Sequence, residues 1–275
     1  MVSAEIKERY ELVKERIQAM ASEDSVNSKY KEYFDSLTKF ILYNIDLYEN
    51  NCYRDASMEK LQEVNENCLA ALRERMQELF ILYDAESEIA IMSKFALEEA
   101  FRGEYAVCAL ADTPLGKAAV CNVHLPWEGA LKRECAIAKI VRRLEDVQAD
   151  QVLLLGDFNC SPQSSVHRFL KGEQSLMDRE ACYFDLAESM ADISGIPAEN
   201  TLDFRQNPRF RQQGQINTVE ISHRFDRIML RNPYPRAFPI LGECAVFGKH
   251  VWEETALASS DHYGVSCVLT FQENA

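Results

Sequence analysis

The chain has 275 residues, 47% hydrophobic and 27% charged, an ordinary globular composition with enough length for one large domain or two small ones. Its 30 Lys and Arg face 44 Asp and Glu, a formal charge of −14, so long-range steering repels a polyanion and a nucleic-acid coat is excluded. No stretch approaches the ~20 uncharged apolar residues of a spanning helix and the opening MVSAEIKERYELVKERI is too charged for a signal peptide, so a cytoplasmic location is expected.

All 10 Gly and 8 Pro lie from Gly103 onward, which divides the chain into two characters. Ile6, Tyr10, Val13, Ile17 and Met20 recur at helical spacing and predict a first amphipathic helix. Tyr30, Tyr33, Phe34, Leu37, Phe40, Ile41, Ile45 and Tyr48 predict a second, with cap candidates between Ser25 and Ser28. Ser57 can cap a third carrying Met58, Leu61, Cys68, Leu69, Leu72, Met76 and Leu79. The period then changes. FILYDAES, EIAIMSKF, YAVCALAD, KAAVCNVHL and QVLLLGDF are short runs that predict strands. Between the last two, ALKRECAIAKIVRRLEDVQ predicts a helix with Leu131, Cys135, Ala138, Ile140 and Leu144 toward the core. A loop-rich segment from Ser161 to Glu220 precedes two closing strands, HRFDRIML and YGVSCVLTF, which completes a layered α/β plan. The nine cysteines are an odd count without a C-x-x-C pair, so they are expected to be reduced and mostly buried.

Four segments carry chemistry. Gly156-Asp157-Phe158-Asn159 follows the apolar run VLLL, placing a carboxylate and an amide at a strand's carboxyl end, where α/β sheets build sites. Asp157 can bind a metal or take a proton from water, and Asn159 can donate to a phosphoryl oxygen without adding negative charge. An Asp/Asn turn closing a strand is the structural alternative. Ser259-Ser260-Asp261-His262 puts an acid beside an imidazole, and a nearby carboxylate can keep a histidine cationic against phosphate. Arg224-Phe225-Asp226 opens another apolar run with Arg224 and Asp226 on one face, for which a structural Arg–Asp pair is the plain reading. His124 ends KAAVCNVHL, where a structural histidine is the commoner case.

In order, LQEV (Leu61 to Val64), AIMSKF (Ala90 to Phe95), NVHL (Asn122 to Leu125), LLGDFN (Leu154 to Asn159), HRFDRIML (His223 to Leu230) and SSDHYGV (Ser259 to Val265) resemble the endonuclease/exonuclease/phosphatase (deoxyribonuclease I-like) superfamily, firmly over Ile89 to Phe271. The wording is most similar to the tyrosyl-DNA phosphodiesterase branch. The resemblance implies a four-layer α/β/β/α sandwich over 57–275; the apolar spacing sets a helical segment over 1–56 before it, so the sandwich is expected to lack its first strands. It also implies Mg2+ or Mn2+ and hydrolysis of a phosphate ester, with nucleic-acid ends among the candidate substrates. By that analogy Asp157 activates water, Asn159 and His262 hold the phosphate, and Asp261 orients His262. His124 contacts substrate, Asp226 helps hold the metal or His124, and Glu63, Asp157 and Asp261 are the metal candidates.

The chain departs from the pattern at its start. Only 18 positions separate Asn44 from Gln62, too few for the helix and strand expected between them, and helical periodicity sets Glu63 on a solvated face. A regulatory module retaining the motifs is therefore the rival expectation, and a phosphomonoesterase of inositol or lipid phosphates a third. The last would need a basic rim, for which Lys132, Arg133, Arg205, Arg209 and Arg211 are candidates; Phe204 and Phe210 beside them suit stacking on a base.

Overall fold

Residues 58–61, 64, 66–114, 116–211, 214–253 and 256–270 are described by the structure, a computed structural model of the chain. The helical expectations for 1–56 lie outside them, as do Asn44, Cys52 and Glu63.

The first described elements are β1 (Met58–Leu61), α1 (Glu66–Arg75), β2 (Phe80–Asp84) and β3 (Ile89–Ser93). β1 pairs with β3 in antiparallel register from Met58↔Ser93 to Leu61↔Ala90, and β2 takes the other edge of β3. The third predicted helix is thereby corrected: its first turn is a strand, and helix begins only at Glu66. The backbone groups of Met58 to Leu61 are paired across to β3, and that long-range pairing outweighs the apolar spacing along the chain.

The main sheet contains β4 (Glu98–Gly103), β5 (Ala106–Thr113), β6 (Gly116–His124), β7 (Gln151–Asp157), β8 (Tyr183–Asp185) and β9 (Asp226–Arg231). Its order is β4-β5-β6-β7-β9-β8. The parallel pair β6 and β7 is joined by α2 (Ala130–Glu145). Two further ladders follow, β10 (Ile240–Phe247) with β13 (Gly264–Thr270), and β11 (Val251–Trp252) with β12 (Leu257–Ala258).

Side-chain alternation stacks these pieces. On β3, Ala90 and Met92 pack against Cys68, Leu69 and Leu72 of α1 and Met76 just after it, while Ile89 and Ile91 meet Val107 and Ala109 of β5. The opposite face of the main sheet presents Cys108, Cys121, Val123 and Leu154 to Ile137, Val141 and Leu144 of α2. Helix, small sheet, large sheet and helix are therefore four layers, with β3 buried on both faces. Each fully buried aliphatic chain in such a stack contributes about 1.5–3 kcal/mol relative to exposure.

Several finer expectations change. Leu131 is 72% exposed: it stands in the first turn of α2, ahead of the buried stripe that runs through Ile137, Ala138, Ile140, Val141 and Leu144. The segment read as loop contains α3 (Ser165–Leu170), α4 (Leu186–Ser194), β8 and a 3-10 turn (Pro208–Phe210). The two helices are short and held by caps: Ser164 accepts from the His167 amide, and Asp185 from those of Ala187 and Glu188. β4 and β10 were not expected either; β4 is charged on its outer positions and β10 is half-exposed along most of its length. Cys68, Cys108, Cys121 and Cys160 are buried as expected, whereas Cys182 is exposed.

Candidate active site at the ends of three strands

Three neighbouring strands deliver one row of side chains. In the parallel β6–β7 ladder His124 is the register partner of Asp157, and in the antiparallel β7–β9 ladder Asp157 is the partner of Asp226. The face is set two residues earlier on β6, where buried Asn122 donates through Nδ2 to the Ala90 carbonyl of β3 at 3.0 Å. Period two then puts His124 on that same face, toward the smaller sheet. His124 Nε2 lies 3.8 Å from Asp157 Oδ2.

The end of β7 and the loop after it are shaped by two positive φ angles. Gly156 has φ 124°, a conformation that a side chain would strain, and Asn159 has φ 48°, which asparagine tolerates. This geometry folds the Asn159 amide back so that its N–H donates to Asp157 Oδ1 at 2.7 Å. Asn159 Nδ2 donates to the Leu125 carbonyl at 2.8 Å, and the Leu125 N–H donates to the Asp157 carbonyl at 2.9 Å. The strand-end loops of β6 and β7 are therefore stitched together.

His262 enters from the loop before β13. Its Nδ1 lies 2.9 Å from Asp226 Oδ2 and 3.9 Å from Asp157 Oδ2. Burial works to lower the pKa of His262, but the hydrogen bond and charge of Asp226, with Asp157 and Asp261 behind them, lift it to about 10. Burial, then the Asp226 charge, push Asp157 up to about 7 against the opposing pull of His262. Ligand atoms of Asp157, Asp226 and His262 lie within 4.8 Å of one another.

Below this row sits Arg227, 1% exposed, whose guanidinium donates to the carbonyls of Cys160 and Arg224 and lies 5.3 Å from the Phe158 ring centre. It thereby ties the loop after Asp157 to the entry of β9. Thr201, fully buried, accepts at its hydroxyl from the amides of Phe225 and Asp226, both at 3.0 Å, and its carbonyl accepts the Tyr263 amide at 2.8 Å. One residue thus anchors the chain at both Asp226 and His262.

The sequence candidates fare unequally. Asp157, Asp226, His262, His124 and Asn159 share one locus. Asp261 does not orient His262: its side chain is exposed and accepts only from Ser260 Oγ at 3.3 Å among the bonds described, because successive residues of an extended loop diverge. Asp226, 36 positions away in sequence, supplies that carboxylate. Arg224 does not pair with Asp226. It bonds Asp185 at 2.6 Å and Glu188 at 3.1 Å, and Glu188 also meets His167 Nε2 at 3.0 Å. That second acidic cluster already contains its own cation and reads as a structural ion-pair network.

The expected basic rim is mostly spoken for. Arg133 donates to the Pro126 and Trp127 carbonyls, Arg205 to those of Asn217 and Thr218, and Arg209 to those of Ala258 and Ser259. Lys132 pairs with Glu128 at 3.6 Å, and Phe204 and Phe210 pack on each other with ring centres 4.5 Å apart. Thr201 and Asn207 were missed by sequence reading. The Asn207-Pro208 pair is a turn signal, but their partners lie more than 20 positions away and leave no local trace.

Among the solved structures similar to this chain is a humanized D. rerio TDP2 carrying 14 mutations, with a TM-score of 0.65, 16% identity, and 86% of this chain and 93% of that one covered. D. rerio TDP2 complexed with single strand DNA product gives 0.63 at 17% identity, covering 90% and 94%. An endonuclease/exonuclease/phosphatase from Bacteroides vulgatus gives 0.55 at 14%, covering 84% and 89%. At these identities the likeness shows a shared fold. No curated protein sequence matches the chain. The family model described as Endonuclease/Exonuclease/phosphatase family matches residues 60–262, and the chain belongs to that family.

Proposed function

We propose that the chain is a divalent-metal-dependent phosphodiesterase acting at the end of a single-stranded nucleic acid. The observation that carries this reading is the His124, Asp157, Asp226 row with His262 bonded to Asp226, in a family of phosphate-ester hydrolases. TDP2 of D. rerio, which shares the fold, was solved with single-stranded DNA product, which supports the substrate class.

The donor set fits a hard cation. Asp157 and Asp226 are close carboxylates, and the upward push on Asp157, from burial first and the Asp226 charge second, is a cost that a bound cation relieves. Asp157 would hold Mg2+ or Mn2+, with exposed Asp261 a second candidate; Glu63 lies outside the described residues. Such an ion, when bound, would supply Lewis-acid neutralisation of the phosphate charge. Asp226 holds His262 cationic and oriented, so the imidazolium faces a non-bridging oxygen. Asn159 keeps the Asp157 carboxylate fixed through its backbone amide, and Asp157 takes the proton of the attacking water. A diester is favoured over a phosphomonoester because Arg133, Arg205 and Arg209 are committed to backbone carbonyls, leaving little cationic rim for a dianion.

The test is Mg2+-dependent hydrolysis of bis-p-nitrophenyl phosphate and of a 5′-blocked single-stranded oligonucleotide by the wild type, Asp157→Ala and His262→Ala. Losses of at least ~10²-fold in both variants, and arrest by chelator, are expected. Equal rates in wild type and variants would overturn the reading in favour of a non-catalytic module.

A further inference from the structure

The arginine-rich segment after Phe204, which sequence reading offered as a stacking surface, has a different use. Asn207 is 1% exposed, and its Nδ2 donates to the carbonyls of Ser260 at 2.9 Å and Asp261 at 3.0 Å. Arg209 Nε donates to the Ala258 carbonyl at 2.8 Å and Nη2 to that of Ser259 at 3.2 Å. Four consecutive carbonyls, the four preceding His262, are thus held by two side chains two residues apart in sequence. The pair is itself locked: Asn207 Oδ1 accepts the Arg209 amide at 3.0 Å, and the Asn207 amide donates to the Asp203 carbonyl at 3.0 Å.

This arrangement matters because the loop carrying His262 lacks a regular ladder of its own. Ser259 to His262 lie between β12, of two residues, and β13. A free loop of this kind samples many backbone states, whereas an imidazole productive against phosphate must stay within a fraction of an ångström. We infer that Asn207 and Arg209 are positioning residues that clamp the 258–261 backbone and so fix His262 against Asp226. Their effect on turnover rests on the phosphodiesterase reading; the clamp itself does not. Arg209, being spent on neutral carbonyls, is withdrawn from substrate contact.

The test uses Asn207→Asp, which keeps shape but sets a carboxylate against two carbonyls, together with Arg209→Met, Arg209→Lys and the control Gln206→Ala at an exposed neighbour. In 15N-labelled protein the His262 imidazole resonances, assigned by loss in His262→Ala, are expected to shift or broaden in Asn207→Asp and Arg209→Met, and to stay in Gln206→Ala. For both clamp variants kcat on the diester is expected to fall at least tenfold with KM within about twofold, and Arg209→Lys to recover part of it. If Asn207→Asp fails to fold, the Arg209 series decides. Unchanged imidazole resonances in folded variants overturn the clamp. A wild type without turnover overturns the phosphodiesterase reading instead, while the resonances still decide the clamp.

Discussion

Asp226 illustrates how much one carboxylate does here. It is the register partner of Asp157, donates its backbone N–H to the Thr201 hydroxyl, and accepts from His262. Replacing it by Asn keeps the volume and removes the charge, leaving the imidazole able to lose its proton and rotate. Asp226→Asn is expected to lower kcat by ~10²-fold or more with smaller change in KM, measured by steady-state kinetics on the diester. Asp157 carries an opposite cost. Buried and crowded by Asp226, its charge destabilises the metal-free fold, so Asp157→Asn is expected to abolish turnover while raising Tm in chelator, by about 2–4 °C for each kcal/mol relieved. A lowered Tm in chelator would show that Asp157 stabilises the fold by its charge.

Among the elements outside the main sheet, β13 bears on the site through its start, which lies two residues after His262. Gly264 pairs with Phe247 of β10, and a Cβ built on Gly264 would sit 2.2 Å from Phe247 Cζ. The aromatic ring therefore lies across the space that only glycine leaves open. Gly264→Ala is expected to destabilise by about 1–3 kcal/mol, read by denaturant unfolding, as overpacking does elsewhere. Adding Phe247→Ala should remove the added clash, so the double variant is expected to be less destabilised than the sum of the two single changes. Strict additivity would mean that the ring and the glycine do not interact.

At the scale of the whole molecule, acid stability should track the network of Arg224, Asp185, Glu188 and His167, which joins α3, α4, β8 and the entry of β9. The hydrogen bond with His167 is the first cause that pulls Glu188 down, burial opposes it, and Lys171 adds to the fall, to about 2 from 4.5. A carboxylate depressed in the folded state contributes stability that is present above pH ~4.5 and lost as pH falls toward 2. Glu188→Gln is expected to lower Tm at neutral pH and flatten its fall across that window. An acid limb unchanged in slope would show that other carboxylates set it.

Much of this protein is written locally. The short apolar runs YAVCALAD, KAAVCNVHL and QVLLLGDF determined the central strands, the apolar spacing of α2 most of its buried face, and the ends of those runs the positions of His124, Asp157 and Asn159, because apolar runs and their breakers are properties of neighbours in sequence. Which carboxylate meets His262 was not legible: adjacency proposed Asp261, and strand register supplied Asp226. Nor could spacing show that Met58 to Leu61 pair as a strand, that Arg209 faces carbonyls, or that Thr201 supports two loops at once. Those assignments depend on groups brought together from 20 to more than 50 positions apart, where hydrogen bonds between distant backbones, rather than local preference, choose the outcome.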